Sequence, residues 1–228
     1  MTPASSSALP VYVEVGQKRT FAAAVDWPGW CRSGGDEEAA LEALAAYAGR
    51  YKAALGARAR GLGVVRAGDL EVVERLPGDS STDFGAPGAV PFADEQPIGG
   101  KELDRWLRIL QSCWHAFDRI ADDAVGAALA TGPRGGGRNL DKIRAHVLDG
   151  AGGYLGRLGG KVAASDRRDP AALRKALADA AAARARGEVP DRGPRGGLRW
   201  PARYGIRRTA WHALDHAWEI EDRVRPAG

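Results

Sequence analysis

Cysteine is almost missing from this chain: among 228 residues there are two, Cys31 and Cys113. They match no CxxC metal or redox spacing and fall in what the pattern below divides into different domains, so no disulfide framework is expected and each is read as a free or buried thiol. Long apolar runs are missing as well. None approaches the roughly 20 residues of a membrane span, which makes a soluble protein with no membrane association the expectation. Residues 1–10, MTPASSSALP, have neither the basic start nor the apolar stretch of a secretory signal; they read as a short disordered tail, with the cytoplasm as the expected location. Lysine is scarce, 6 against 27 arginines, and histidine is scarcer, with four in all.

What is present is the make-up of a folded protein: 44% hydrophobic and 27% charged residues, in a length that holds one large domain or two small ones. The 33 basic and 29 acidic residues nearly balance, yet residues 131–210 hold 18 of the former and 7 of the latter. Such a run can serve an acidic partner. Few aromatic residues interleave with it to stack on bases, so a solvated arginine face is preferred and nucleic acid is not an expected partner.

Val11–Val15 (VYVEV) and Arg19–Val25 (RTFAAAV) are β-prone and separated by a Gly16-Gln17 turn, which predicts a hairpin. Residues 26–35, rich in Pro and Gly, read as a loop. Asp36 to Leu55 repeats apolar residues at helical spacing, among them Leu41, Leu44, Ala48 and Tyr51, and Asp36, Glu37 and Glu38 suit the positive end of that helix. Leu70–Leu76 (LEVVERL) is a third strand. Glu14, Asp26 and Asp36 read as solvated or capping carboxylates rather than a nuclease cluster. Strand, strand, Pro-Gly loop, helix and strand, with the loop and helix reading DWPGWCRSGGDEEAALEAL, resemble the small α/β domain of HicB-like antitoxins over residues 11–76, within a domain set at 11–78. The resemblance implies a module that binds a protein partner or assembles with itself and has no active site. Residues 79–98, with three prolines and no periodicity, mark a linker or a long ordered crossover.

The remainder is helical. In Lys101–Leu129, Leu103, Trp106, Leu110, Trp114, Phe117 and Ile120 form one apolar stripe. Asn139 caps a second helix in which Ile143, Val147, Tyr154 and Leu158 recur; Gly150, Gly152, Gly153 and Gly156 weaken it or let a neighbour approach closely. Asp169-Pro170 opens an Ala-rich third helix to about Arg186, and a fourth runs from about Ala202 to Val224. The expected fold class is α+β, a small N-terminal α/β domain followed by a four-helix bundle over residues 99–228.

The fourth helix carries the chemistry. His212 and His216 stand one turn apart and leave the same face, the spacing at which one helix gives a divalent metal two nitrogen ligands. Glu219 shares that stripe, and Arg208 and Arg223 extend it. A third ligand must come from elsewhere, with His146 the leading candidate, and Asp215, or Asp149 near His146, can orient a ligand from behind. An exposed ion-pair lattice would produce the same spacing, so HxxxH alone leaves both readings open. His115 falls off the apolar stripe of its helix and reads as a surface or packing residue.

A lone histidine in the second helix (IRAHVLDGAGGYLGRLG) and HxxxH in the fourth (AWHALDHAWEIEDR), in this order of four helices, resemble the DinB/YfiT-like superfamily, which includes the mycothiol-dependent enzymes. The resemblance covers residues 99–228. It implies that His146, His212 and His216 bind one divalent metal, Zn²⁺ or Ni²⁺, beside a low-molecular-weight thiol that is transferred to an electrophile or used in isomerisation. In such a site Glu219 can be a fourth ligand or a general base, and Arg208 and Arg223 can hold an acidic group of the thiol cofactor. Members of this type often dimerise, which makes a homodimer one expected partner. The alternative is a non-catalytic protein-binding or regulatory module, in which the HicB-like domain docks a partner and the metal is structural or absent.

Overall fold

The structure, a computed structural model, describes residues 8–131 and 137–224. The chain divides between Glu95 and Gln96 into two compact units. The fold class is α+β, with one mixed four-stranded sheet, and no helix of the described residues is long and apolar enough to cross a membrane.

In the first unit, β1 (Leu9–Val15) turns at Gly16 and returns as β2 (Thr20–Ala24), antiparallel and in register Val11 to Ala24 through Val15 to Thr20. The expected tail therefore gives up Leu9 and Pro10 to a strand, while residues 1–7 lie outside the described residues. The loop expected over 26–35 is only partly a loop. Trp27 to Trp30 turn, and Cys31–Gly34 then form β3 along β2, with Ala23 opposite Cys31 and Thr20 opposite Gly34. Four small or polar residues give no alternation to detect, and the pairing with a buried strand makes β3. The turn is fastened from behind: Trp30 Nε1 donates to the Leu44 carbonyl, Tyr51 Oη donates to the Pro28 carbonyl, and the Trp30 and Tyr51 rings stack at 5.4 Å.

The helix expected from Asp36 to Leu55 is two, α1 (Glu37–Ala46) and α2 (Ala48–Leu55), broken at Tyr47 where ψ rises to −1°. Asp36 caps α1 by accepting from Ala39 N, as its position suggested. The β4 strand (Leu70–Pro77) runs parallel to β1, giving the order β3-β2-β1-β4. A parallel neighbour requires a crossover, and α1 and α2 lie within it.

Glu14 is neither solvated nor a cap. It is 1% exposed on β1, and it accepts from Thr82 Oγ1 at 2.5 Å and from the backbone N–H of Gly88 and Ala89. Thr82 lies in α3 (Ser80–Phe84), and a further short helix, α4 (Phe92–Glu95), follows. The stretch read as a linker is thus ordered up to the unit boundary, because a buried carboxylate must collect donors and its nearest ones lie there.

The second unit holds α5 (Gly100–Asp123), α6 (Leu140–Leu158), α7 (Pro170–Ala185) and α8 (Ala202–Arg223). The caps are those the residues favour, Asn139 accepting from Lys142 N and Asp169 from Ala171 N. The α8 helix is buried almost all round and packs against the other three. A helix in that position is expected to be apolar on every side. This one instead buries Arg207, Thr209, His212, His216 and Arg223. Gly205 sets the spacing between α6 and α8 at one end, since a Cβ there would lie 2.5 Å from Leu158 Cδ2. Cys31 and Cys113 are both buried, and no disulfide joins them.

Candidate metal centre

The α6 helix sets His146 and, one turn later, Gly150 on the face that meets α8. The α8 helix answers with His212 and His216, also one turn apart. Gly150 makes the junction possible: a Cβ at that position would stand 2.5 Å from His212 Cε1 and 2.9 Å from its Nδ1. Of the helix-weakening glycines, this one is a socket for an imidazole, while Gly152, Gly153 and Gly156 have nothing within 4 Å of a would-be Cβ.

The three rings converge, with centroids 4.7–5.0 Å apart. Their ligand nitrogens all lie within 4.8 Å of one another, close enough to hold a metal ion. His146 Nε2 and His212 Nε2 are 3.3 Å apart. Two nitrogens bound at about 2.0–2.1 Å to a tetrahedral ion are separated by about 3.3–3.4 Å, so this edge has the length a zinc site needs. The same distance suits a hydrogen bond between the rings; the third nitrogen makes the group a donor set. Among the described residues no other three His, Cys, Asp or Glu are gathered this way.

His216 has its other nitrogen occupied. Nδ1 lies 2.7 Å from Glu219 Oε2, and Glu219 Oε1 accepts from Arg223 at 2.5 Å. Arg223 in turn donates through Nε to the Ala130 carbonyl and through its remaining nitrogen to the Arg138 carbonyl. The chain of contacts fixes the His216 ring and leaves Nε2 as its ligand atom, the carboxylate–histidine arrangement that orients metal ligands. It also revises three expectations. Glu219 is held down at about 2, first by its bond to His216 and then by Arg223, so it is a weak base and an orienting group. Arg223 is spent on Glu219 and two carbonyls and is not available to a cofactor. Asp149, expected behind His146, pairs with Arg168 instead.

Arg208 differs. Its guanidinium lies 4.4 Å from the Trp211 ring centroid and 5.9 Å from that of Tyr154, and one terminal nitrogen is buried with no hydrogen-bond partner among the described residues. Tyr154, two turns beyond His146 on the same face of α6, places its ring edge-on to His212 at 5.5 Å. The 146, 150, 154 register was readable in the sequence as three residues on one helical line. Its meaning was not, because it depends on what α8 presents. His115 is exposed.

His212 and His216 are buried, and the surroundings of His212 are electropositive. His212 is pushed down to about 2, foremost by burial and then by the neighbouring His216, His146, Arg208 and Arg138. Burial also lowers His146, with His216 adding to it. Both imidazoles are therefore neutral at physiological pH, the form that donates a lone pair to a metal. Much of the basic run is paired rather than displayed: Arg144 with Asp122, Arg174 with Asp118, Arg184 with Asp191 and Arg186 with Glu188. Comparison of the chain with family models, with curated proteins and with solved structures finds no match in any of the three.

Proposed function

We propose that this chain is a DinB-like protein in which His146, His212 and His216 hold one Zn²⁺ or Ni²⁺ within a four-helix bundle, and that it acts as a thiol-dependent S-transferase or isomerase. The observation that carries the reading is the convergence of three imidazoles, one of them oriented by a carboxylate that is itself locked by a buried arginine. A structural ion pair lattice would need none of this convergence. A three-histidine ion keeps a position open and makes a thiol or water nucleophilic near neutral pH.

The protein's own residues supply the rest. Glu219 and Arg223 hold His216 in one orientation. Gly150 lets His212 reach the site. Arg208, beside the Tyr154 and Trp211 rings, binds an acidic group of the thiol cofactor. We read the first unit, with its strand–strand–strand–helix–helix–strand order, as a HicB-like module that docks a protein partner or a second copy.

The test is turnover of an electrophile such as 1-chloro-2,4-dinitrobenzene with mycothiol or bacillithiol and zinc-loaded protein. Activity is expected to fall at least 100-fold in His212→Ala, with helical content by circular dichroism retained. No activity with either thiol, or unchanged activity in the variant, would move the assignment to the non-catalytic module.

A further inference from the structure

A cavity of about 230 Å³ lies among α5, α6, α7 and α8, and His212 forms part of its wall. The same residue therefore belongs to the histidine cluster and to a partly open cavity beside it. Most of that space is apolar, bounded by Trp114, Phe117, Val147 and Leu173. An apolar cavity of roughly 150 Å³ takes up benzene, so by volume this one holds about nine non-hydrogen atoms.

The charged groups on its wall are Arg144, Arg168 and Arg174 against Asp118 alone. Arg174 is bidentate to Asp118, at 2.5 and 2.7 Å, and lies against the Trp114 ring. Arg144 and Arg168 pair with Asp122 and Asp149, which do not line the cavity. Arg144 gives Asp122 one terminal nitrogen, at 2.7 Å. The wall is thus apolar, with three guanidinium groups against one carboxylate.

We propose that this cavity is a binding site for a small amphipathic acid, an aryl or short branched alkyl group of about nine non-hydrogen atoms ending in a carboxylate or similar anion, with the apolar body beside His212 and the anion on Arg144 and its neighbours. Residues of four helices line the apolar part. The anion meets the guanidinium groups that outnumber carboxylates on the wall. The assignment rests on the metal-site reading for the chemistry performed on the ligand, and on the cavity alone for binding.

The experiment is calorimetric titration of the full-length protein, stripped of metal with a chelator, with 3-phenylpropionate and separately with its neutral analogue 3-phenylpropanamide. Saturable binding of the acid is expected, at least tenfold tighter than the amide. Ala151→Leu and Ala121→Leu each place extra methyl groups at the cavity wall and are expected to weaken binding at least tenfold, with folding checked by circular dichroism. Arg144→Gln is expected to remove most of the preference for acid over amide. Absence of binding, or undiminished binding in either folded cavity-filling variant, overturns the site; equal affinity for the amide overturns the anionic end. Because the protein is metal-free, binding here together with failure of thiol turnover would reject the catalytic reading and leave the cavity standing.

Discussion

Gly150→Ala is expected to reduce zinc affinity about 100-fold while the helix that carries it stays formed. Two effects of opposite sign act at this position. In a helix interior alanine is favoured over glycine by about 1 kcal/mol, so local propensity predicts a gain. The added Cβ, however, would sit 2.5 Å from His212 Cε1. The imidazole lies at the end of a side chain with two torsions, and turning it away is cheaper than separating two packed helices. Its nitrogen then leaves the donor set, and a displaced ligand costs as much as a lost supporting contact or more. Gly152→Ala is the control, since nothing lies within 4 Å of its would-be Cβ; it is expected to be neutral or stabilising and to bind zinc as the wild type does. Competition against a chromophoric chelator gives the affinities, and melts in chelator give the stabilities. Equal zinc affinity in both variants would mean that His212 is not a ligand.

The second large effect is on stability against pH in the metal-free protein. Unfolded, His212 titrates near 6.5; folded, it resists protonation down to about 2. Between those values the unfolded chain binds a proton that the native protein does not, so stability rises with pH across the window and is lost on acidification. One group contributes about 1.4 kcal/mol per pH unit once well below 6.5, or about 2 kcal/mol between pH 7 and pH 5. His146, also lowered, adds in the same direction. Glu219, held at about 2 against an ordinary 4.5, destabilises on acidification too, but only below about pH 4.5. Urea unfolding at pH 7 and pH 5 should therefore show a loss that His212→Gln largely removes. The same loss in both proteins would place the proton uptake elsewhere and show that His212 is hydrated.

The helices of the second unit were legible because each encodes its own boundaries: Asn139 and Asp169 cap, Pro170 starts, and the apolar steps repeat. β3 was not, since Cys31–Gly34 acquire strand geometry from β2 rather than from their own pattern. For residues 79–95 the sequence left a linker and an ordered crossover both open, because their order depends on Glu14 reaching Gly88, 74 positions away. At the site the spacing of His212 and His216 was local and readable, and His146 followed from its helix. The roles of Glu219 and Arg223 were not readable, because a helical wheel places them on the histidine stripe without showing that Arg223 is committed to the carbonyls of Ala130 and Arg138. A residue type suited to binding an anion instead locks the carboxylate behind His216.

The measurement closest to the central claim is the metal content of untagged protein, purified without added metal and then incubated with Zn²⁺ or Ni²⁺, beside a His212→Ala, His216→Ala variant shown to be folded by circular dichroism. Near one equivalent bound by the wild type and none by the variant is the result this account predicts. No bound metal in the wild type after incubation, or equal metal in both proteins, would contradict it and leave the three histidines as packing residues of the second unit.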